Sequence, residues 1–224
     1  MFVGHFAVGF GAKAFHSRAS LGTYFLAAQF VDLLWPLLLL FGLERVEIAP
    51  GITDVTPLDF VSYPISHSLL AVMGWGLLIG GTYWVARRSS RGAVIMGLLV
   101  VSHWVLDAVV HRPDLPLWPG STALVGLGLW HSLAATLLVE LTLLIVGLGL
   151  YLRVTTAHDR IGSLGLWGLV ALLLLINLAN VFGPPPPNSS AIAWAGHLQW
   201  LLVAGAFWID RHRVAHPVRK ERGP

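Results

Sequence analysis

Long apolar runs separated by short polar loops are the main feature of this chain. A helix needs about 20 residues to cross a hydrocarbon core about 30 Å thick. Six runs qualify or nearly qualify: 21–41, 66–86, 93–110, 130–152, 164–182 and 192–209. The run 2–15 is shorter, and its glycines favour close insertion between longer helices. The pattern predicts an all-α fold, a polytopic membrane helical bundle of six long transmembrane helices plus a short inserted N-terminal helix.

Composition narrows the class of protein. Of the 224 residues, 56% are hydrophobic and 11% are charged, whereas a soluble domain has about 25% charged residues. We therefore expect one integral membrane domain over 1–224, with motif residues in about 1–140, two further helices in 164–209 and a basic tail in 210–224. The net charge of +3 does not indicate a nucleic-acid partner, because the basic residues lie in loops and the tail. Without cysteine, thiolate metal sites are excluded.

The charge of the loops alternates along the chain. Basic residues occur in every second loop and in the tail: 13–18, 87–91, 153–160 and 210–224. The intervening loops carry few basic residues, and the loop 42–65 is acidic. Basic loops stay in the cytoplasm, so this alternation predicts a multi-pass protein of the bacterial inner (plasma) membrane with a cytoplasmic C-terminus. Met1 is then expected toward the outer side.

One apolar run carries three potential metal ligands at regular spacing. His103, Asp107 and His111 follow one another in steps of four residues. Such a step advances about 400° around a helix, so the three side chains point in one direction. Asp and His in hydrocarbon cost several kcal/mol unless they are paired or coordinate a ligand, about +2.5–3.5 kcal/mol for a central Asp on insertion scales. We therefore interpret this stripe as functional.

Candidate ligands from several segments are expected at similar depths in the membrane. At about 1.5 Å per residue, Asp32 lies about 14 Å inside the outer end of its span and His103 about 12 Å. Five candidates fall in the outer half of the membrane: His5, Asp32, His67, His103 and Asp107. Histidine nitrogens and carboxylate oxygens suit a divalent metal, zinc first, with manganese or iron as alternatives. Asp32 and Asp107 are also the candidate catalytic residues, each as a ligand or as a general base.

Two further residues form a second tier. His111 sits at the helix end beside Pro113, about 12 Å along the axis from His103, and is expected at the outer mouth of the site. Glu140 matches the depth of the core residues and is expected to accept a hydrogen bond from a ligand histidine. Asp114 is expected in a solvated turn.

At these residues the chain resembles a known family. Gly4-His5, Asp32, Ser66-His67-Ser68 and His103-x-x-x-Asp107, followed by Pro-Asp-Leu-Pro-Leu-Trp-Pro, are similar to the bacterial YdjM-like inner-membrane metal-dependent hydrolases, which distantly resemble zinc-dependent phospholipase C. The resemblance covers roughly 1–140. It implies that the five core residues bind metal and that His111 joins them. The phospholipase pattern has a later His followed four residues on by Glu, whereas here Ala135 follows His131.

Two classes of function remain open at this point. The leading hypothesis is a membrane-embedded metal-dependent hydrolase acting on a phosphoester of a membrane lipid or lipid-linked substrate at the outer leaflet. The alternative is a non-enzymatic membrane subunit that binds a prosthetic group such as haem, or that packs in a larger membrane complex. The clustered Asp32 and Asp107 argue against haem. An ion pathway is disfavoured because we expect no comparable polar path in the cytoplasmic half.

Overall fold

Helices make up most of residues 1–216, the part of the chain that the computed structural model describes. In chain order they are α1 (Val3–Phe15), α2 (Leu21–Ala28), α3 (Phe30–Leu40), α4 (Pro64–His67), α5 (Leu69–Arg87), α6 (Ser90–Val110), α7 (Leu133–Val154), α8 (Arg160–Phe182), α9 (Ser189–His197) and α10 (Gln199–Arg211). Short antiparallel strand pairs join them: β1 (Arg45–Ile48) with β2 (Leu58–Ser62), β3 (Leu115–Pro116) with β4 (Leu124–Val125), and β5 (Thr155–Ala157) with β6 (Arg213–Ala215). We call the end with β1 to β4 the site end, and the end with β5 and β6 the opposite end.

The prediction of a mostly helical fold with several apolar spans is confirmed. Within residues 1–216, five helical stretches are long and apolar enough to cross a membrane: Leu69–Arg87, Ser90–Val110, Leu133–Val154, Arg160–Phe182 and Ser189–Arg211. The pair α2 and α3 passes the same criteria jointly, but it is bent by 54°. The sequence therefore located the apolar segments, whereas it did not reveal the bend.

Two predicted spans are broken at points where a side chain forms a hydrogen bond with a backbone group of the helix. The run 21–41 is interrupted at Gln29, beside Ala28, whose carbonyl oxygen accepts a hydrogen bond from the His103 ring at 2.8 Å. The run 66–86 begins as the short helix α4 and restarts after Ser68, whose hydroxyl accepts from the Ala71 N–H at 3.3 Å and so caps α5. Both corrections concern segments next to the candidate metal ligands.

The short helix α1 lies inside the bundle. Ten of its 13 residues are buried, and it packs against α7, α2 and α6. Small residues permit this close approach: a Cβ on Gly147 of α7 would lie 2.1 Å from the carbonyl oxygen of Ala7. Phe6 and Phe10 each pack edge-on against Phe25 at 4.9 Å between ring centroids. These contacts hold α1, and with it His5, in the centre of the fold.

A second buried polar cluster lies toward the opposite end. Lys13 Nζ donates to Asp210 Oδ2 at 2.7 Å and to the Ala19 carbonyl oxygen at 2.8 Å. The Tyr151 hydroxyl donates to the other oxygen of Asp210 at 2.7 Å. This buried ion pair was not predicted from the sequence. Because these groups bond to one another, the cluster fastens α1, α7 and α10 together.

Replacing Lys13 by Met should destabilise the protein through Asp210. Removing one partner of a buried ion pair leaves the other charge uncompensated and typically costs about 3–5 kcal/mol. We expect a lower midpoint of thermal unfolding for the purified protein in detergent. The control is Arg45→Met, which breaks the exposed Arg45–Glu47 pair at 3.7 Å and should change stability by less than about 1 kcal/mol. Equal effects of the two substitutions would contradict this role for Lys13.

Candidate metal centre

Helix α6 supplies the centre of the site. His103 and Asp107 lie one helical turn apart and are buried, with His103 Nε2 3.2 Å from Asp107 Oδ2. The Nδ1 atom of His103 lies 2.8 Å from the Ala28 carbonyl oxygen. Because a carbonyl oxygen only accepts hydrogen bonds, the ring proton is on Nδ1 and the Nε2 lone pair faces the carboxylates. In metal sites, a backbone carbonyl that accepts from the other ring nitrogen of a ligating histidine orients the ring in this way.

Asp32 and His67 approach the same nitrogen from other elements. One oxygen of Asp32, Oδ1, lies 3.5 Å from His67 Nε2 and 3.5 Å from His103 Nε2. His67 Nε2 is also 3.9 Å from Asp107 Oδ2. Asp32 follows the break between α2 and α3, and His67 ends α4. The interrupted helices thus bring these side chains to α6.

His5 completes the group from α1. Its ring stacks on that of His103 with centroids 3.6 Å apart and planes 3° from parallel. Its Nε2 lies 3.1 Å from Asp107 Oδ1, and the amino group of Met1 lies 2.8 Å from the same oxygen. The structure therefore brings together all five residues of the predicted core.

The donor set fits a divalent cation. His5, His103 and Asp107 form one group, and Asp32, His67 and His103 form another; within each group one ligand atom per residue lies within 4.8 Å of the others. Zinc bonds to such atoms are about 2.0–2.2 Å, which places ligand atoms about 3–4 Å apart, so small adjustments suffice. The buried Nε2 of His103 has no hydrogen-bond partner among residues 1–216. An unpaired lone pair between carboxylates is favourable only beside a proton or a metal ion.

Glu44 and Ser66 hold the ring of His67. Glu44 Oε1 accepts from the backbone N–H groups of Ile65 at 2.7 Å and Ser66 at 2.8 Å. The Ser66 hydroxyl donates to Glu44 Oε2 at 2.5 Å and lies 2.6 Å from His67 Nδ1. Since the hydroxyl proton goes to Glu44, the Ser66 oxygen accepts from His67 Nδ1–H, and Nε2 keeps its lone pair. This chain gives His67 the same tautomer as His103.

These positioning residues were missed at the sequence level. Ser66 precedes His67 in the motif Ser66-His67-Ser68, while Glu44 belongs to the acidic loop 42–65. The burial of Glu44, only 3% exposed, distinguishes it from its neighbour Glu47 on β1. Neighbouring acidic residues in the loop gave no signal that one of them is buried.

Glu140 has a different role from the one expected. Its Oε2 accepts from the backbone N–H groups of Phe2 at 3.1 Å, Val3 at 2.8 Å and Gly4 at 3.4 Å. It bonds to no ligand histidine, so that expectation is wrong. The free N–H groups and the positive end of the helix dipole at the start of α1 favour a carboxylate there. Glu140 therefore supports the site by holding the first turn of α1, which carries His5.

His111 lies at the end of α6, outside both groups of metal-ligating atoms, in a buried network. Its Nδ1 is 2.9 Å from Asp114 Oδ1, and the Tyr63 hydroxyl donates to the same oxygen at 2.8 Å. The expectation of a solvated Asp114 is wrong, because Tyr63, His111 and the Arg112 side chain enclose its carboxylate. Burial, reinforced by the Asp114 carboxylate, raises the pKa of Tyr63 and keeps its hydroxyl a donor. His131 is exposed on a short 3₁₀ turn.

A cavity of about 820 Å³ adjoins the candidate metal centre. Asp32, His67, Asp107 and His111 line one side of it. The side chain of Asp32 is 23% exposed, whereas those of His67, His103 and Asp107 are 4% exposed or less. Access from the cavity to the centre therefore passes Asp32.

Comparison with known proteins adds no relative from which residue roles can be carried over. No family model, curated protein or solved structure matches this chain. The similarity to the YdjM-like hydrolases stays a prediction from motif residues.

Removing the support of His67 should weaken metal binding without removing a ligand. For Glu44→Gln and Ser66→Ala we expect zinc affinity to fall about 10–100-fold, as is typical for partners of ligating histidines. Affinity is measured on the purified protein by competition with a chromophoric chelator. Glu47→Gln, an exposed change on β1 three residues after Glu44, is the matched control and should leave affinity unchanged. Unaltered zinc affinity in Ser66→Ala would refute the role of the Glu44–Ser66–His67 hydrogen-bond chain.

Glu140→Gln should mainly affect α1. The amide oxygen still accepts hydrogen bonds, but the charge at the helix N-terminus is lost, so we expect a destabilisation of about 0.5–1 kcal/mol. Metal affinity should decrease because the turn that carries His5 loosens, and it should not vanish. Thermal unfolding and the chelator competition measure both effects. Complete loss of metal with unchanged stability would instead make Glu140 a ligand.

Proposed function

We propose that this protein is a membrane-embedded, divalent-metal-dependent hydrolase that acts on a phosphoester of a lipid or lipid-linked substrate at the outer leaflet. One observation carries the proposal. The lone pair of His103 Nε2 faces Asp32 and Asp107 at 3.5 and 3.2 Å and has no hydrogen-bond partner among residues 1–216. Such a concentration of acceptors in an apolar bundle is favourable when a cation lies among them.

The residues divide into ligands and a candidate base. His67, His103 and Asp107 are the buried residues that would hold the ion, with His5 beside Asp107. Zinc suits this nitrogen and oxygen set, and manganese or iron are alternatives. A bound divalent ion would stabilise the negative charge that develops on a phosphoryl oxygen. It would also lower the pKa of a water molecule bound to it to about 7. Asp32, the most exposed carboxylate of the group, would orient the attacking water from the cavity side and accept its proton.

The membrane arrangement forms part of the same proposal. The bent pair α2 and α3 would be one span, which brings the spans to six. The opposite end carries most of the basic residues of the loops, including Arg87, Arg88 and Arg160, whereas Arg45 and Arg112 lie at the site end. By the positive-inside rule that end would be cytoplasmic in a bacterial inner membrane, and the C-terminus would lie on the same side. The metal centre would then face the outer leaflet.

A subunit that binds haem is less well supported by the same geometry. The rings of His5 and His103 stack at 3.6 Å, which leaves no room for a macrocycle between them. Haem ligation uses one or two axial residues and gives no role to the clustered carboxylates of Asp32 and Asp107. The absorbance spectrum of the purified protein separates the two functions, since a Soret band would establish the haem-binding alternative.

Metal analysis of His103→Ala tests the proposed centre. Wild-type protein, extracted gently and purified with zinc present, should hold metal after gel filtration, and His103→Ala should lose it. His131→Ala removes an exposed histidine outside both metal groups and should retain the wild-type content. Hydrolysis of lipid phosphoesters should follow metal content and stop with a chelator. A wild-type protein without metal, or equal metal in His103→Ala, would overturn the proposal.

A further inference from the structure

The cavity beside the metal centre continues along the last three helices. Its far wall is formed by side chains of α8, α9 and α10, most of them apolar: Leu172, Ile176, Ile192, Ala195, Leu198 and Leu201. None of these helices contributes a residue to the metal groups. The C-terminal part of the chain therefore contributes a second region to the same cavity.

This wall is open toward the side of the bundle. Leu172, Leu198 and Leu201 line the cavity and are also 45%, 61% and 68% exposed. Helix α8 packs mainly on α10, whereas α9 packs on α3, so α8 and α9 diverge near their site ends. We call the resulting opening the α8–α9 cleft. Its outer surface is apolar and belongs to helices that pass the criteria for membrane spans.

The cleft has a fixed position relative to Asp32. A Cβ on Gly196 of α9 would lie 2.5 Å from Pro36 Cγ, so α9 touches α3 one turn after Asp32. Leu172 lies ten residues before Phe182, the end of α8, which corresponds to about 15 Å along the helix. The cleft thus runs from the carboxylate at the centre to about the middle of α8.

The two ends of this cavity differ in chemistry. One end presents histidines and carboxylates that fit a metal and, through it, an anionic group. The other end includes Asn177, Asn180 and Gln199 but presents mostly leucine, isoleucine and alanine, whose side chains fit hydrocarbon. A ligand that fills both ends must be an amphiphile with an anionic head and an apolar chain.

We propose that the α8–α9 cleft binds the hydrocarbon chain of the substrate while its phosphate lies at the metal centre. The inference rests on the proposed function and makes it narrower: the substrate is a membrane lipid that enters sideways, and a soluble phosphoester with the same headgroup is a poor substrate. The last helices, which carry no metal-site residue, would then determine the preference for lipids.

Photolabelling tests the cleft independently of hydrolysis. The probe is phosphatidic acid with a diazirine in its acyl chain, added to the zinc-loaded protein in nanodiscs, with labelled residues located by mass spectrometry. Label should appear on the cleft-lining segments of α8 and α9, and long-chain phosphatidic acid should compete for it while glycerol phosphate should not. Label spread over other lipid-facing surfaces, such as the apolar groove between α1, α6 and α7, would overturn the proposal.

Filling the cleft provides the matched variants. Leu172→Trp and Ile176→Trp place a large ring in the cleft, whereas Leu175→Trp places it on the same helix at a residue that is 63% exposed and does not line the cavity. We expect the first two to lower cleft labelling and raise KM for long-chain phosphoesters about tenfold, equivalent to about 1.4 kcal/mol or about two buried methylene groups. KM for short-chain analogues and metal content should not change. Equal behaviour of the three variants would contradict the cleft.

The two proposals fail in different ways in this experiment. Labelling of the cleft without hydrolysis of any phosphomonoester or phosphodiester lipid would remove the hydrolase and leave the lipid site. Hydrolysis with equal efficiency on long-chain and water-soluble substrates would leave the hydrolase and remove the lipid site. A double variant, Leu172→Ala with Ile176→Ala, guards against misfolding of the tryptophan variants. It empties the wall and should also weaken labelling.

Discussion

Carboxylates and histidine nitrogens lie close together inside an apolar helical bundle. The need to compensate their charge is the constraint on which the surrounding helices and hydrogen bonds depend. His103 Nε2 lies 3.5 Å from Asp32 Oδ1 and 3.2 Å from Asp107 Oδ2. Uncompensated charges in such surroundings cost several kcal/mol each. Asp107 Oδ1 already accepts from the Met1 amino group. A divalent cation would satisfy the remaining carboxylate oxygens together with His103 Nε2, for which the described residues provide no hydrogen-bond partner.

The fold supports this centre by interrupting its helices. The break at Gln29 frees the Ala28 carbonyl for the His103 ring, and the break at Ser68 leaves His67 on its own short turn. At the start of α1, Glu140 takes up the free N–H groups. Each interruption supplies a hydrogen bond that fixes a ligand or the helix that carries it. Irregular backbone inside an apolar helical bundle is tolerable because it is buried in protein and its polar groups are paired.

The sequence predicted the parts of the site that depend on local spacing. His103 and Asp107 share a helix face because they are four residues apart, and the apolar runs gave the depth of Asp32 and His5. It did not predict contacts between distant elements. Glu44 reaches Ser66 through the β1–β2 hairpin, and Glu140 meets backbone N–H groups of α1, which have no side-chain signature.

Contacts between distant elements also account for the bend between α2 and α3 and for the polar cluster of Lys13, Tyr151 and Asp210. The apolar run 21–41 has the composition of one helix, and its interruption lies beside a tertiary contact, the hydrogen bond from His103 to the Ala28 carbonyl oxygen. Lys13 lies in the basic loop 13–18 and Asp210 begins the basic tail, nearly two hundred positions away, so the sequence pattern did not indicate their pairing. Their pairing depends on α1 being enclosed by the longer helices, which hydrophobicity alone does not specify.

X-ray absorption at the metal edge of the purified, zinc-loaded protein tests the central claim most directly. The account predicts a first shell of nitrogen and oxygen at about 2.0–2.2 Å, with the outer-shell scattering of imidazole rings. The imidazole signal should include more than one histidine, since His67 and His103 both direct Nε2 at the centre. A first shell of water oxygens alone, or no bound zinc after removal of excess metal, would contradict it.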